Sequence, residues 1–321
     1  MTSLNELTAL HFHEIAPQYQ ANLTGVIDSG AAVAMRVTRV FPAPFTGSTV
    51  VVGDLPKVSH QVVLKIAPNA KSIRREWEGL LHVTGLDGKC QQPVALVQTA
   101  QGQLGLLSEY IEGEVLKNSS EVARRAQVGE RMRELHERVP VHGEEWRKSP
   151  MREFHAFLEA IERWQHDSDF LQHIRHTLAL PILERLAREL TTHKRIESPA
   201  FIHTDIHDEQ VLISQEGVAI LLDFEQWQEG DPVDDLAIYL FHILRNGAPL
   251  EYFQAALAGY GSLDFLVHVV QLRTVLAFHT LFFATRAVRM FARYRPEYLP
   301  LSVHTLEEVC RFLATDALWA L

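Results

Sequence analysis

Between about Gly30 and Pro68, apolar runs rich in β-branched residues, "AVAMRVTRVF", "TVVVGDLPK" and "HQVVLKIA", are broken by turn residues such as those of "PAPFTGS". Short β-branched runs separated by turn residues predict consecutive antiparallel strands. The charged stretch "KSIRREWEGLLHV" carries its apolar residues at helical spacing, and two more strand-like runs follow around "PVALVQ" and "LGLLSEYI". From Val122 the period becomes helical, in "EVARRAQVGERMRELHERV", "MREFHAFLEAIERWQ" and "LPILERLARELTTH". The change of pattern predicts an α+β chain in two lobes. A small antiparallel β lobe covers residues 1–108, a hinge covers 109–114, and a larger, mainly helical lobe covers 115–321.

One stretch inside the helical part departs from this pattern. "FIHTDIHDEQVLI", from Phe201, crowds His203, Asp205, His207, Asp208 and Glu209 in front of an apolar run that starts at Val211. A charge cluster alone reads as an exposed loop. Here a turn at Gln215-Glu216-Gly217 leads into a second apolar run, "VAILLDFEQW", which again reaches a carboxylate, Asp223. The two runs predict a hairpin with Asp205 just before its first strand and Asp223 just after its second.

Composition narrows the classes. The 321 residues are 47% hydrophobic, enough for a sizeable core, and the net charge of -10 argues against a surface for nucleic acid or anionic lipid. Two distant cysteines, Cys90 and Cys310, give neither a disulfide framework nor a cysteine metal site, so a reducing cytoplasm is the expected setting. The N-terminus lacks the pattern of a signal peptide. The most apolar late segment, "VLAFHTLFFATRAV", is interrupted by His279 and Arg286 and reads as a buried helix rather than a membrane span. Seventeen histidines are mostly scattered, without HExxH spacing.

In their order and spacing, "HTDIHDEQ" (His203 to Gln210), "LLDFE" around Asp223 and "GDPVDDLA" (Gly230 to Ala237) resemble the aminoglycoside phosphotransferase and choline kinase family. Upstream, "VVLK" resembles its lysine-bearing strand, "REWEGLL" the helix supplying a glutamate, and "LLSEYIEGE" its interlobe hinge. The resemblance implies a protein-kinase-like bilobal fold. It also implies an ATP- and Mg2+-dependent phosphotransferase acting on a hydroxyl of a small molecule, with no nucleic-acid or membrane partner.

What the resemblance implies for single residues agrees with the chemistry they offer. Lys65 would hold the nucleotide phosphates, and Glu76 would orient Lys65. Glu78 competes with Glu76 for that part, but Leu80 and Val83 share the helical face of Glu76. Asp205 would accept or orient the proton of the substrate hydroxyl, His203 would brace the loop, and Asp223 would ligate magnesium. Asp235 would hydrogen-bond the loop backbone, with Asp234 a helix-start charge. Glu109, Tyr110 and Ile111 of the hinge would read the base through main-chain groups. Gly47 and Ser48 are all that "FTGSTVVV" offers toward a phosphate loop, and Gly47 reads equally well as a hairpin turn.

Two positions depart from the family's pattern. Gln210 replaces the metal-binding asparagine, so the backbone adapts, Asp208 or Glu209 substitutes, or the chain is a nucleotide- or ligand-binding pseudokinase. Thr204 stands where the family has glycine. The acceptor is expected to meet helical-lobe residues such as Trp146, Phe154, Trp164, Phe278 and Phe282. Such aromatics, with neighbouring acids, suit a cationic or sugar-like molecule, or simply build core.

Overall fold

The computed structural model describes residues 7–23, 31–41, 47–86, 88–141, 177, 179–190, 199–261 and 269–315. Contacts group the chain into two units: Met1–Asn118 with Gln210–Trp227, and Ser119–Glu209 with Gln228–Leu321. Gln210–Trp227, which follows much of the helical chain in sequence, thus packs with the β-rich unit.

In the first unit, β1 (Leu7–Ile15), β2 (Val33–Phe41), β3 (Thr49–Asp54), β4 (Gln61–Ile66), β5 (Pro93–Thr99) and β6 (Leu104–Glu109) form a closed barrel in the order β1-β2-β3-β4-β6-β5. The expected strands are present, and β1 adds a sixth by pairing with both β2 and β5. Closure leaves no strand edge unpaired around the barrel. Alternation decides which side chains enter the core: on β4, Val62 and Leu64 are fully buried, while Val63 and Lys65 point to the opposite face. A second sheet joins β7 (Gly113–Val115), β9 (Val211–Ser214) and β10 (Ala219–Leu221), with β9 in the middle. The expected hairpin is β9–β10, with Ala219 opposite Ile213 and Gly217 supplying the positive φ of the turn.

The unit's helix, α1 (Ala70–His82), is capped by Asn69, whose side chain accepts the Lys71 amide at 3.0 Å. Ile73, Glu76, Trp77 and Leu80 are buried at spacings of three and four residues, so Glu76 lies on the inward face and Glu78 on the exposed one. Gly79 lets α1 lie against the turn after β10: a Cβ there would come within 2.9 Å of Phe224 Cβ.

The second unit is mainly helical, with α2 (Val122–Arg138), α3 (Ala179–Leu190), α4 (Pro232–Arg245), α5 (Leu250–Tyr260), α6 (Val269–Tyr294) and α7 (Leu299–Ala314). A short ladder pairs β8 (Ala200–Ile202) with β11 (Gln228–Gly230). Helices α2 and α5 approach closely because both contribute glycine: a Cβ on Gly129 would fall 1.8 Å from Ala256 O. Asp231 caps α4 by accepting the Val233 amide at 3.0 Å, Pro232 occupies its first turn, and the helix is buried along most of its length. The expected late apolar helix lies within α6, where Leu276, Phe278 and Leu281 are buried. The expected helix "MREFHAFLEAIERWQ" and the aromatics Trp146, Phe154 and Trp164 lie outside the described residues.

Candidate active site

The first unit concentrates charge around one ammonium. Lys65 Nζ, carried by β4, stands 2.8 Å from Glu76 Oε2 on α1, 2.7 Å from Asp223 Oδ1 and 3.5 Å from Glu225 Oε2. Asp223 follows β10 in a left-handed conformation, φ 62°, which an aspartate tolerates better than most residues. Its other oxygen accepts a hydrogen bond from Gln210 Nε2 at 3.2 Å. Burial pushes the Glu76 carboxyl up to about 7, Lys65 pulling it down and Asp223 pushing it further up. Burial works against the Lys65 charge, but Glu76 and Asp223 outweigh it and hold the lysine above its ordinary range.

Beside this cluster the same unit encloses a cavity of about 390 Å³. Val50, Val63, Leu106, Leu212 and Leu222 supply apolar walls, with Lys65, Glu76, Gln210 and Asp223 among the polar ones. Ser48 is buried and lines the cavity, whereas Gly47 is exposed with φ 69°, the conformation of a turn. Of the hinge residues, Tyr110, Ile111 and Gly113 line the cavity. The Tyr110 amide donates to Gln61 O at 3.0 Å and the Glu109 amide to Gln92 O at 2.9 Å. The Glu109 side chain accepts from Tyr19 OH, which also meets His60 Nε2 at 3.0 Å. Arg39 approaches from β2, donating to Tyr110 OH at 3.1 Å.

In the second unit the loop carrying His203 and Asp205 is held from behind. Asp235 on α4 is fully buried, and its two oxygens accept the amides of Thr204 at 2.7 Å and His203 at 2.8 Å. His136 Nε2 stands 3.0 Å from the same carboxylate, and its Nδ1 is 2.8 Å from Tyr260 OH. Burial acts to raise the Asp235 pKa, but the His136 hydrogen bond and the neighbouring imidazoles hold it below the ordinary carboxylate range. Thr204 sits at φ 64°, a left-handed conformation that is unusual for a β-branched residue. Asp208 receives Arg125 Nη2 at 2.7 Å and Tyr239 OH at 2.7 Å, and the Arg125 guanidinium lies 3.9 Å from the Tyr252 ring centre. Asp234 contacts His279 Nδ1 at 2.6 Å. His207 and His242 stack with ring centres 4.3 Å apart.

Residues 38–273 match the model of the phosphotransferase enzyme family. The chain belongs to that family. Solved structures agree in fold. A spectinomycin phosphotransferase in complex with ADP and spectinomycin shares 14% identity at a TM-score of 0.57, over 89% of this chain and 93% of its own. An aminoglycoside phosphotransferase from Alicyclobacillus acidocaldarius shares 16% at 0.61, over 89% and 93%. A thermostable mutant of a third aminoglycoside phosphotransferase, in ternary complex with ADP and hygromycin B, shares 13% at 0.62, over 92% and 99%. No curated protein matches the chain. Among the described residues, no helix is long and apolar enough to cross a membrane.

For this member of the phosphotransferase family, Lys65, Glu76, Ser48, Gln210 and Asp223 meet around one cavity in the first unit, and His203 and Asp205 share a loop in the second. Asp208, considered from sequence as a substitute metal ligand, is engaged by Arg125 and Tyr239. Glu225 carries a sequence signal, its place two residues after Asp223, whereas Arg125, Tyr239 and His136 occupy single helical positions that carry none.

Proposed function

We propose that this chain transfers the γ-phosphoryl group of ATP, with Mg2+, to a hydroxyl of a small molecule such as an aminoglycoside, an amino alcohol or a sugar-like compound. The observation that carries this reading is the Lys65 ammonium, held 2.8 Å from Glu76 and 2.7 Å from Asp223 at the wall of the apolar cavity. Phosphoryl transfer calls for positioning and charge neutralisation more than for covalent chemistry. Lys65 would bind phosphate oxygens, and Glu76 would keep its ammonium aimed. The apolar walls suit a base. Because the Glu109 and Tyr110 amides are taken within the chain, the Ile111 main chain is the group proposed to read the base edge.

The donor set fits magnesium. Glu76, Asp223 and Glu225 bring carboxylate oxygens within 4.8 Å of one another around a single lysine, a set of hard ligands with a surplus of negative charge. Asp223 and Glu225 would hold the ion, with Gln210 orienting Asp223. When bound, the ion supplies neutralisation of phosphate charge. Asp205 would accept or orient the proton of the attacking hydroxyl, on a loop whose backbone Asp235 fixes and His203 braces. Fold neighbours seen with ADP and spectinomycin or hygromycin B support a nucleotide paired with a small hydroxylated acceptor. Phe278 is buried and reads as core, so it gives no support to an aromatic acceptor wall.

A second reading, a nucleotide-binding pseudokinase, draws on Gln210, which turns its amide nitrogen toward Asp223. Incubation with Mg-ATP and a panel of aminoglycosides, amino alcohols and sugars, followed by ADP release, separates the two. Turnover with at least one acceptor is expected. ATP binding without turnover for every acceptor would establish the second reading.

A further inference from the structure

Asp205, His207 and His242 bring one carboxylate oxygen and two imidazole nitrogens within 4.8 Å of one another in the second unit. Asp205 and His207 lie two residues apart on the loop that Asp235 and the Arg125–Asp208 pair anchor, and His242 projects from α4. Loop and helix are thus separately fixed, which keeps the three residues close together before any ion arrives. Neutral imidazole nitrogens offer lone pairs to a metal ion. Two such nitrogens with one carboxylate oxygen make a donor set for zinc and its neighbours, whereas magnesium takes oxygen.

The surroundings of His207 favour coordination through one nitrogen. Its Nδ1 accepts the Glu209 amide at 3.2 Å, and the Glu209 carboxylate lies 4.0 Å from the same atom. A metal taking Nε2 would move the single ring proton to Nδ1, which would then release the Glu209 amide and donate to the Glu209 carboxylate instead. Metal-bound histidines commonly donate their other N–H to a carboxylate in this way. No proton is gained or lost by the ring in that exchange. The rings stack with centres 4.3 Å apart and must splay to share an ion.

We propose that Asp205, His207 and His242 form a binding site for a zinc-type divalent ion, built from residues other than the carboxylates around Lys65. On the reading that Asp205 serves the substrate hydroxyl, occupancy of this site withdraws its carboxylate and silences transfer. The site would then make the enzyme sensitive to a metal that its reaction does not use.

The test is a titration of the full chain with Co2+, read by the visible d–d bands of a tetrahedral site and by their displacement with Zn2+. His242→Phe keeps a ring to stack on His207 but removes the nitrogen, and His207→Ala removes the second. Each is expected to weaken Co2+ binding at least ~10-fold, with thermal unfolding confirming that His242→Phe is folded. Unchanged bands and affinity in both variants, or no bands in the wild type, would overturn the site. Zn2+ is further expected to inhibit ADP release by the wild type and not by His242→Phe, whose basal turnover is retained. Loss of Co2+ binding in the variants without Zn2+ inhibition of the wild type would uphold the metal site and remove Asp205 from the transfer step.

Discussion

Lys65 Nζ lies 2.7 Å from Asp223 Oδ1, joining residues 158 positions apart, and the same ammonium holds Glu76 at 2.8 Å. One cation therefore serves several carboxylates, and Glu76, the most deeply buried, carries the cost. Its pKa rises from 4.5 to about 7 in the fold, first through burial. Because the folded value exceeds the unfolded one, the folded state binds the extra proton between those values, and stability falls as pH rises through them. The stabilisation is complete below pH 4.5 and lost as pH passes about 7. Relative to Glu76→Gln, the wild type should lose at most ~3 kcal/mol over this window in denaturant titrations. A pH-independent difference would show that Glu76 ionises normally.

Asp205→Asn is expected to reduce turnover by roughly 10²-fold or more while leaving nucleotide affinity nearly unchanged, since Asp205 is absent from the walls of the first unit's cavity. Calorimetry with ATP beside steady-state kinetics reads both. Unchanged turnover would take Asp205 out of the mechanism.

Gln210 and Glu225 make opposite demands on magnesium. If Glu225 supplies an oxygen ligand and Gln210 only orients Asp223, Glu225→Gln should raise the half-saturating Mg2+ concentration by about 10-fold or more, and Gln210→Asn by less. Reversal of that order would make Gln210 the ligand.

Thr204 holds a left-handed conformation while its amide serves Asp235. Thr204→Gly keeps that amide and relieves the β-branched strain, partly offset by glycine's greater freedom when unfolded. A net gain of about 0.5–1 kcal/mol is expected. Chemical denaturation of the two proteins reads this directly, and a clear loss of stability would mean that the threonine side chain earns its place.

Arg125 is 1% exposed and pairs with Asp208 at 2.7 Å. Arg125→Met leaves the Asp208 carboxylate with Tyr239 OH but no cation, and should cost about 3–5 kcal/mol. The double variant Arg125→Met/Asp208→Leu should recover much of it. A single variant as stable as the wild type would show the pair to be passive.

Several parts of the fold were legible before any coordinates. Strands β2 to β6 announce themselves as short apolar runs, mostly rich in β-branched residues, between turn residues, and helix α1 by the spacing that buries Ile73, Glu76, Trp77 and Leu80. That spacing also set Glu76 apart from Glu78, and Glu76 is the residue that faces Lys65. Strand β1 was not legible: "LTALHFHEI" mixes polar and apolar positions on both faces, and it becomes a strand by pairing with β2 and β5. A strand of that kind is specified by its partners more than by its own residues.

By itself, the sequence determined what local period and turn chemistry determine: an α+β chain, a β9–β10 hairpin with Gly217 at its turn, and a lysine strand followed by a glutamate helix. Its ordered motifs also determined the family. Tertiary structure alone decided several further meetings of charged and titratable groups. Glu225 joins Lys65, Arg125 locks Asp208 across 83 positions, and His242 stacks on His207. The reason is physical. Periodicity reports which face of an element is buried, while pairing between distant side chains depends on how separate elements pack, and a buried charge takes whichever partner that packing brings within reach.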